Sequence, residues 1–172
     1  FNPMVNIQYD ATDELMVYGS FARGTKAGGF DIRSNSLPTS KTVTKPGAFM
    51  FGDESADNFE TGVKYKNRNI ALNLSLYRTN YHDLQVNIFD GTLNFNVQNA
   101  AGARTQGIEA DFRAAIADGL TVGGAIAYLD FKFTNFTTGQ CYFQQVPGPG
   151  GFCDYTGLRN ALSPEWSGNL NV

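Results

Sequence analysis

Apolar side chains recur at every second position along most of this chain, and that period of two most constrains its fold. In an extended strand successive side chains point to opposite faces, so the alternation gives one apolar face and one polar face. Val5, Ile7 and Tyr9 alternate with Asn6, Gln8 and Asp10. After a short turn at Ala11 to Glu14, Leu15, Val17, Gly19 and Phe21 oppose Met16, Tyr18, Ser20 and Ala22. Further on, Phe59, Thr61, Val63 and Tyr65 form one such face. Ile70, Leu72, Leu74 and Leu76 form the next, and Ile108, Ala110 and Phe112 another. Leu120, Val122, Gly124, Ile126 and Tyr128 follow. With the stretch around Trp166 this predicts about seven strands, an all-β antiparallel meander.

The connections separate a membrane barrel from a soluble β fold. Those at Ala11–Glu14, Asn67–Asn69 and Ala115–Gly119 are short. The intervening ones are long, over approximately 31–56 and 135–162, apart from a tight hairpin signalled by Asp90-Gly91. Short turns at one end and long loops at the other are the pattern of a membrane β-barrel, with the long loops extracellular. The apolar face also ends in an aromatic just before each short turn, at Tyr9, Tyr65 and Phe112. Rings at one height are expected to form an interfacial girdle.

Composition narrows the possibilities further. The 172 residues hold 13 basic and 16 acidic side chains, a net charge of -3, so no nucleic-acid partner is expected. Nineteen glycines and 13% aromatics favour a turn-rich β protein over a helical bundle. A mean hydropathy of -0.27 is compatible with a barrel, whose strands alternate apolar and polar residues. No apolar run reaches the ~18 residues of a transmembrane helix. The alternation is under way at the first residues and continues through Trp166, Gly168, Leu170 and Val172. Both ends read as strands in progress, so the sequence is expected to be part of a longer protein.

Particular residues then resemble a family. The run Val17-Tyr18-Gly19-Ser20-Phe21-Ala22-Arg23-Gly24-Thr25-Lys26-Ala27-Gly28-Gly29-Phe30 is similar to a strand-to-loop segment of TonB-dependent receptors. So is Asn58-Phe59-Glu60-Thr61-Gly62-Val63-Lys64-Tyr65. Asp83-Leu84-Gln85-Val86, Asn99-Ala100-Ala101 leading to Gly107-Ile108-Glu109-Ala110, and Ser163-Pro164-Glu165-Trp166 follow in the family's order. The resemblance implies that residues 1–172 are part of a plugged outer-membrane barrel of about 22 strands. The plug, the TonB box and the closing carboxy-terminal strand would lie outside this sequence. It also implies contact with outer-membrane lipid, coupling to the TonB complex through the parent chain, and uptake of a scarce nutrient. The default ligand is a ferric siderophore; a cobalamin-like cofactor or an oligosaccharide are the other classes.

Chemistry-bearing residues are few. Cys141 and Cys153 flank a Pro/Gly-rich loop, and in an oxidising compartment their disulfide would be worth about 3 kcal/mol. A metal site lacks partners, since His82 is the only histidine. His82 and Asp83 are adjacent in a strand and point to opposite faces unless a bulge intervenes, which argues against an acid–base pair. Glu109 and Asp111 share a face with Arg113, which offers simple charge compensation. No nucleophile elbow, P-loop or dinucleotide fingerprint is present, and no catalytic or cofactor site is expected.

Ligand contact is expected from strand tops and long loops. The candidates are Lys26, Arg33, Tyr81, His82, Gln85, Phe131 and Phe133, a mix of cation and aromatic suited to an anionic chelate or a stacked sugar. Two rival readings remain from sequence: a passive porin-like channel or adhesin barrel, and a secreted β-sandwich that binds carbohydrate.

Overall fold

A computed structural model describes residues 1–31, 50–89 and 95–172. The strands are β1 (Met4–Asp10), β2 (Leu15–Lys26), β3 (Gly29–Phe30), β4 (Met50–Phe51), β5 (Glu54–Lys66), β6 (Ile70–Phe89), β7 (Phe95–Ala117), β8 (Leu120–Asn135) and β9 (Trp166–Asn171). Seven of them form one antiparallel sheet in the order β1-β2-β5-β6-β7-β8-β9, and β3 pairs with β4 separately. The large sheet is therefore a meander in which each strand neighbours the next, as the alternation predicts. It is an open segment of wall: among the described residues β1 and β9 each pair with one neighbour.

The three short turns are built by local chemistry. Thr12 Oγ1 accepts from the backbone N–H groups of Glu14 and Leu15 at 3.2 and 3.0 Å. Asn67 Oδ1 does the same for Asn69 and Ile70 at 2.9 and 2.8 Å, a side-chain turn of the kind asparagine favours. The third turn is tighter than the expected 115–119, because the strand runs on to Ala117, paired with Leu120. A register shift between Ala115 and Ala117 absorbs Ile116, so the ladder continues past the point where the apolar alternation fades.

At the other end the strands are longer than their apolar patterns. The connection expected over 31–56 ends earlier: β4 covers Met50–Phe51, and β5 begins at Glu54, with Ser55 and Ala56 paired to Thr25 and Gly24. The second long connection, expected over 135–162, runs from 136 to 165 between β8 and β9. The Asp90-Gly91 hairpin and Arg33 lie outside the described residues. β6 and β7 project well past their neighbours, reaching the pair Phe89/Phe95. Along the way Asp83 takes a left-handed φ of 54°, and the register shifts between Tyr81 and Leu84 and again between Leu84 and Gln85.

Almost nothing in this sheet is buried. Ile88, Ala101, Ala103 and Cys153 are the buried apolar residues among those described, and all four lie toward the long-loop end. On the apolar face Ile7, Leu74, Ile126 and Leu170 are 71%, 40%, 54% and 72% exposed. A sandwich would cover such a face with a second sheet about 10 Å away. Here the main packing partners of each strand are its neighbours in the sheet, with β4 against β7 besides. The secreted sandwich reading is therefore not favoured.

Candidate functional site

Register places the apolar side chains in rows across the wall. Tyr65, Leu72, Phe112, Gly124 and Leu170 lie in one row, next to the short turns. Tyr9 lies one row farther from the turns, level with Val17 and Val63. Two aromatic pairs sit on the same face at the far side of the band: Phe21 with Phe59, ring centroids 5.0 Å apart, and Tyr128 with Trp166, 4.9 Å apart. From Tyr65 to Phe59 is six residue steps, about 20 Å of strand. Rings thus bound the apolar band at both edges. The alternation pointed to the near edge; the far edge required the register.

From the row of Phe21 and Phe59 onward the same face changes character. That row continues through Arg78, Gln106 and Asp130, and the next holds Arg23, Asp57, Asn80, Arg104 and Lys132. Arg23 and Asp57 form a bidentate pair at 2.6 and 2.7 Å. His82 falls on this face too, its Nε2 3.5 Å from Asp57 Oδ2. The strand does bulge at Asp83, yet His82 turns to Asp57 across the strands and not to its sequence neighbour.

The opposite face is polar and held by cross-strand hydrogen bonds. Tyr18 donates to Glu60 Oε1 at 2.7 Å, with Lys64 Nζ 5.5 Å from the centre of the Tyr18 ring. Asn73 donates to Asp111 at 2.8 Å and Thr79 to Asn58 at 2.7 Å. Two glycines make room for rings lying across the strands. A Cβ on Gly62 would come 2.5 Å from the Tyr18 ring, and one on Gly107 would come 2.8 Å from the Tyr77 hydroxyl and 2.1 Å from the Tyr128 carbonyl.

At the long-loop end of this polar face the structure gathers several of the candidate ligand contacts. Tyr81 and Phe133 flank Ala103 from the two neighbouring strands, and Ala103 is 1% exposed. Phe131 lies one row closer to the apolar band, opposite Thr105. Lys26 is on the same face, paired in register with Glu54. Gln85 serves the backbone: its amide donates to the carbonyls of Ala27 at 3.1 Å and Gly52 at 3.0 Å. Asn99, which is not among the candidate contacts, does more. Its Nδ2 donates to the carbonyls of Gly52, Asp53 and Asp83, and its Oδ1 accepts from Gly52 N–H. Together Gln85 and Asn99 fix the connection entering β5 against the β6–β7 arm.

The 136–165 connection folds down onto the same aromatic rows. Ring centroids run Phe131 to Phe133 at 5.1 Å, Phe133 to Phe136 at 4.9 Å and Phe136 to Tyr155 at 5.5 Å. The Tyr155 hydroxyl donates to the Gln140 carbonyl, and Gly139 and Cys153 exchange backbone hydrogen bonds at 3.0 and 2.9 Å. Cys141 and Cys153 are joined by a disulfide. Asp154 accepts from Thr156, which holds its carboxyl below the usual carboxylate range. Arg159 donates to the carbonyls of Leu129 and Ser163 and pairs with Glu165, closing the loop onto β8. Among the described residues no group of three or more His, Cys, Asp or Glu is arranged to hold a metal ion.

The geometry agrees with what the chain is similar to. The family model for the β-barrel of TonB dependent receptor-like proteins matches residues 1–172. The pesticin receptor of Yersinia enterocolitica is 29% identical over 112 residues, 64% of this chain and 15% of that protein. The ferric yersiniabactin uptake receptor FyuA from Yersinia pestis superposes with a TM-score of 0.68 at 22% identity, over 97% of this chain and 22% of that one. The siderophore receptor PiuA from Acinetobacter baumannii gives the same TM-score at 21% identity, with the same coverage. The chain thus spans about 15% of the length of the curated relatives it matches.

Proposed function

Since the chain belongs to the TonB dependent receptor-like β-barrel family, we propose that it forms part of the wall of an outer-membrane receptor that takes up a ferric siderophore with TonB-supplied energy. The observation that carries the reading is the two-faced, single-layer sheet: an exposed apolar band bounded by rings on one side, a hydrogen-bonded polar face on the other. The first faces lipid and the second faces the barrel lumen. The three short turns are then periplasmic and the long connections extracellular. The names of the relatives, a pesticin receptor and receptors for ferric yersiniabactin and other siderophores, supply the ligand class.

Within this segment the ligand contacts we propose are Lys26, Tyr81, Phe131 and Phe133. All four are on the lumenal face at the extracellular end, where a cation and aromatic faces suit an anionic chelate. His82 lies on the lipid side, and the Gln85 amide is occupied by backbone carbonyls, so we propose a supporting role for both. Arg33 keeps its place as a loop candidate. The plug, the TonB contact and the rest of the barrel belong to the parent chain on this reading.

The test is uptake of radiolabelled ferric siderophores by iron-starved cells, with the full-length gene present or deleted and TonB present or absent. Uptake that needs both supports the reading. Uptake unchanged by deletion across a siderophore panel, or passive entry without TonB, overturns it.

A further inference from the structure

The lipid-facing side of the wall does not become uncharged loop where its apolar band ends; it becomes a cationic belt. Arg23, Arg78, Arg104 and Lys132 share this face with two carboxylates, Asp57 and Asp130, two positive charges in excess with His82 neutral. At the same heights the lumenal face carries Asn58, Thr79, Thr105 and Phe131, none of them charged. Cations recruited for a lumenal anion would sit on that other side. Their placement toward lipid, one to two rows above Tyr128 and Trp166, is the depth of headgroups.

The belt is built and continuous. Asp57 is held by Arg23 and His82, and Asp130 receives Gln106 at 3.1 Å, Lys132 at 3.6 Å and Arg104 at 3.8 Å. The carboxylates thus space the cations and do not neutralise them all. Arg78 is exposed and forms no ion pair among the described residues; its Nε reaches Asn80 at 3.4 Å. Arg104 Nε is buried without a hydrogen-bond partner among the described residues. An acceptor bearing several oxygens would meet the exposed Arg78 guanidinium, because a phosphate accepts from a planar fork.

We propose that this belt binds the phosphate of an anionic lipid headgroup in the outer leaflet, fixing the height of the wall. The proposal rests on the barrel reading above. Its test uses the full-length polypeptide reconstituted in lipid nanodiscs of phosphatidylcholine with phosphatidylglycerol, then released and weighed by native mass spectrometry. Phosphatidylglycerol should be retained in preference to phosphatidylcholine, and retention should fall as salt rises. In the double variant Arg78→Gln/Lys132→Gln it should drop about fivefold per cation, roughly 30-fold in all. Lys64→Gln, on the lumenal face, should leave it unchanged. Heat-modifiable gel migration of each variant reports whether the barrel is folded. Salt-independent retention by the wild type, or equal retention by the folded double variant, overturns the headgroup site while leaving the barrel intact. A wild type that does not enter the nanodiscs overturns the barrel reading and the site together.

Discussion

The phenol of Tyr65 donates a 3.0 Å hydrogen bond to Glu14, a residue of the preceding turn, while accepting one of 2.8 Å from Asn67 in its own turn. Its ring lies on the apolar face and its hydroxyl joins two turns, the division of labour expected of a tyrosine at a membrane interface. Tyr65→Phe keeps the ring and loses both hydrogen bonds. The expected cost is about 1 kcal/mol, from the usual net worth of a hydrogen bond. Urea unfolding of the full-length barrel in lipid vesicles measures it; an unchanged midpoint would mean that the hydroxyl is equally well solvated by water.

Which face meets lipid is tested by a matched pair of lysines. Leu74 and Ser75 are neighbours on β6 within the apolar band and project to opposite sides. Leu74→Lys should destabilise the folded barrel by about 2–4 kcal/mol. Ser75→Lys should be nearly neutral, being on the hydrogen-bonding side with Glu109 opposite. The reverse ranking would invert the wall.

Gly107 tolerates no side chain without movement of the ladder. A Cβ there would meet the Tyr128 carbonyl, which is backbone and cannot swing aside. Gly107→Ala is expected to cost about 1–3 kcal/mol, the range for overpacking. Gly62→Ala should cost less, since its backbone contact, the Leu74 carbonyl, is at 2.7 Å against 2.1 Å for Gly107, and its closest atoms belong to the Tyr18 side chain. Parallel denaturation of the two variants decides the order.

Opening the disulfide should act locally. Cys141→Ser removes a cross-link spanning 12 positions of a loop that is also held by its aromatic run and by Arg159. The local loss is about 3 kcal/mol on the chain-entropy view. Limited proteolysis should cut within 136–165 faster in the variant, with the thermal transition of the wall unmoved. Maleimide labelling of the unreduced native protein should be absent, and full labelling would exclude the cross-link.

The meander and its short turns were legible because period-two alternation is a local property, and Thr12 and Asn67 stabilise their turns with their own side chains. The shared row of Tyr65 and Phe112 was legible for the same reason, since both stand at fixed offsets from their turns. The far rings were not, because Phe59 and Trp166 come within one row of each other only through the register of the intervening strands. Nor did alternation mark the start of β5, where Glu54, Ser55, Asp57 and Asn58 put polar residues on both faces; in β6 it is interrupted at His82 and Asp83 and resumes at Leu84, Val86 and Ile88 beyond the register shifts. Of the candidate contacts, Tyr81, Phe131 and Phe133 were placed together by strand pairing. Gln85 was drawn instead to backbone carbonyls 33 and 58 residues away, and Asn99 to Gly52 across 47. Long-range partners of that sort leave no trace in spacing.

The irregularity on the β6–β7 arm has one more implication. Eight residues on each strand separate the pair Tyr81/Ala103 from the pair Phe89/Phe95, so the two register shifts between them cancel. The arm is therefore joined to the wall by a compensated joint, bent at Asp83 yet counted alike on both sides. Such a joint separates aim from phase. The part of the arm that meets the outside can be tilted or re-sequenced without any membrane-facing residue below it changing sides, leaving one stretch free to diversify while the other stays locked to the bilayer.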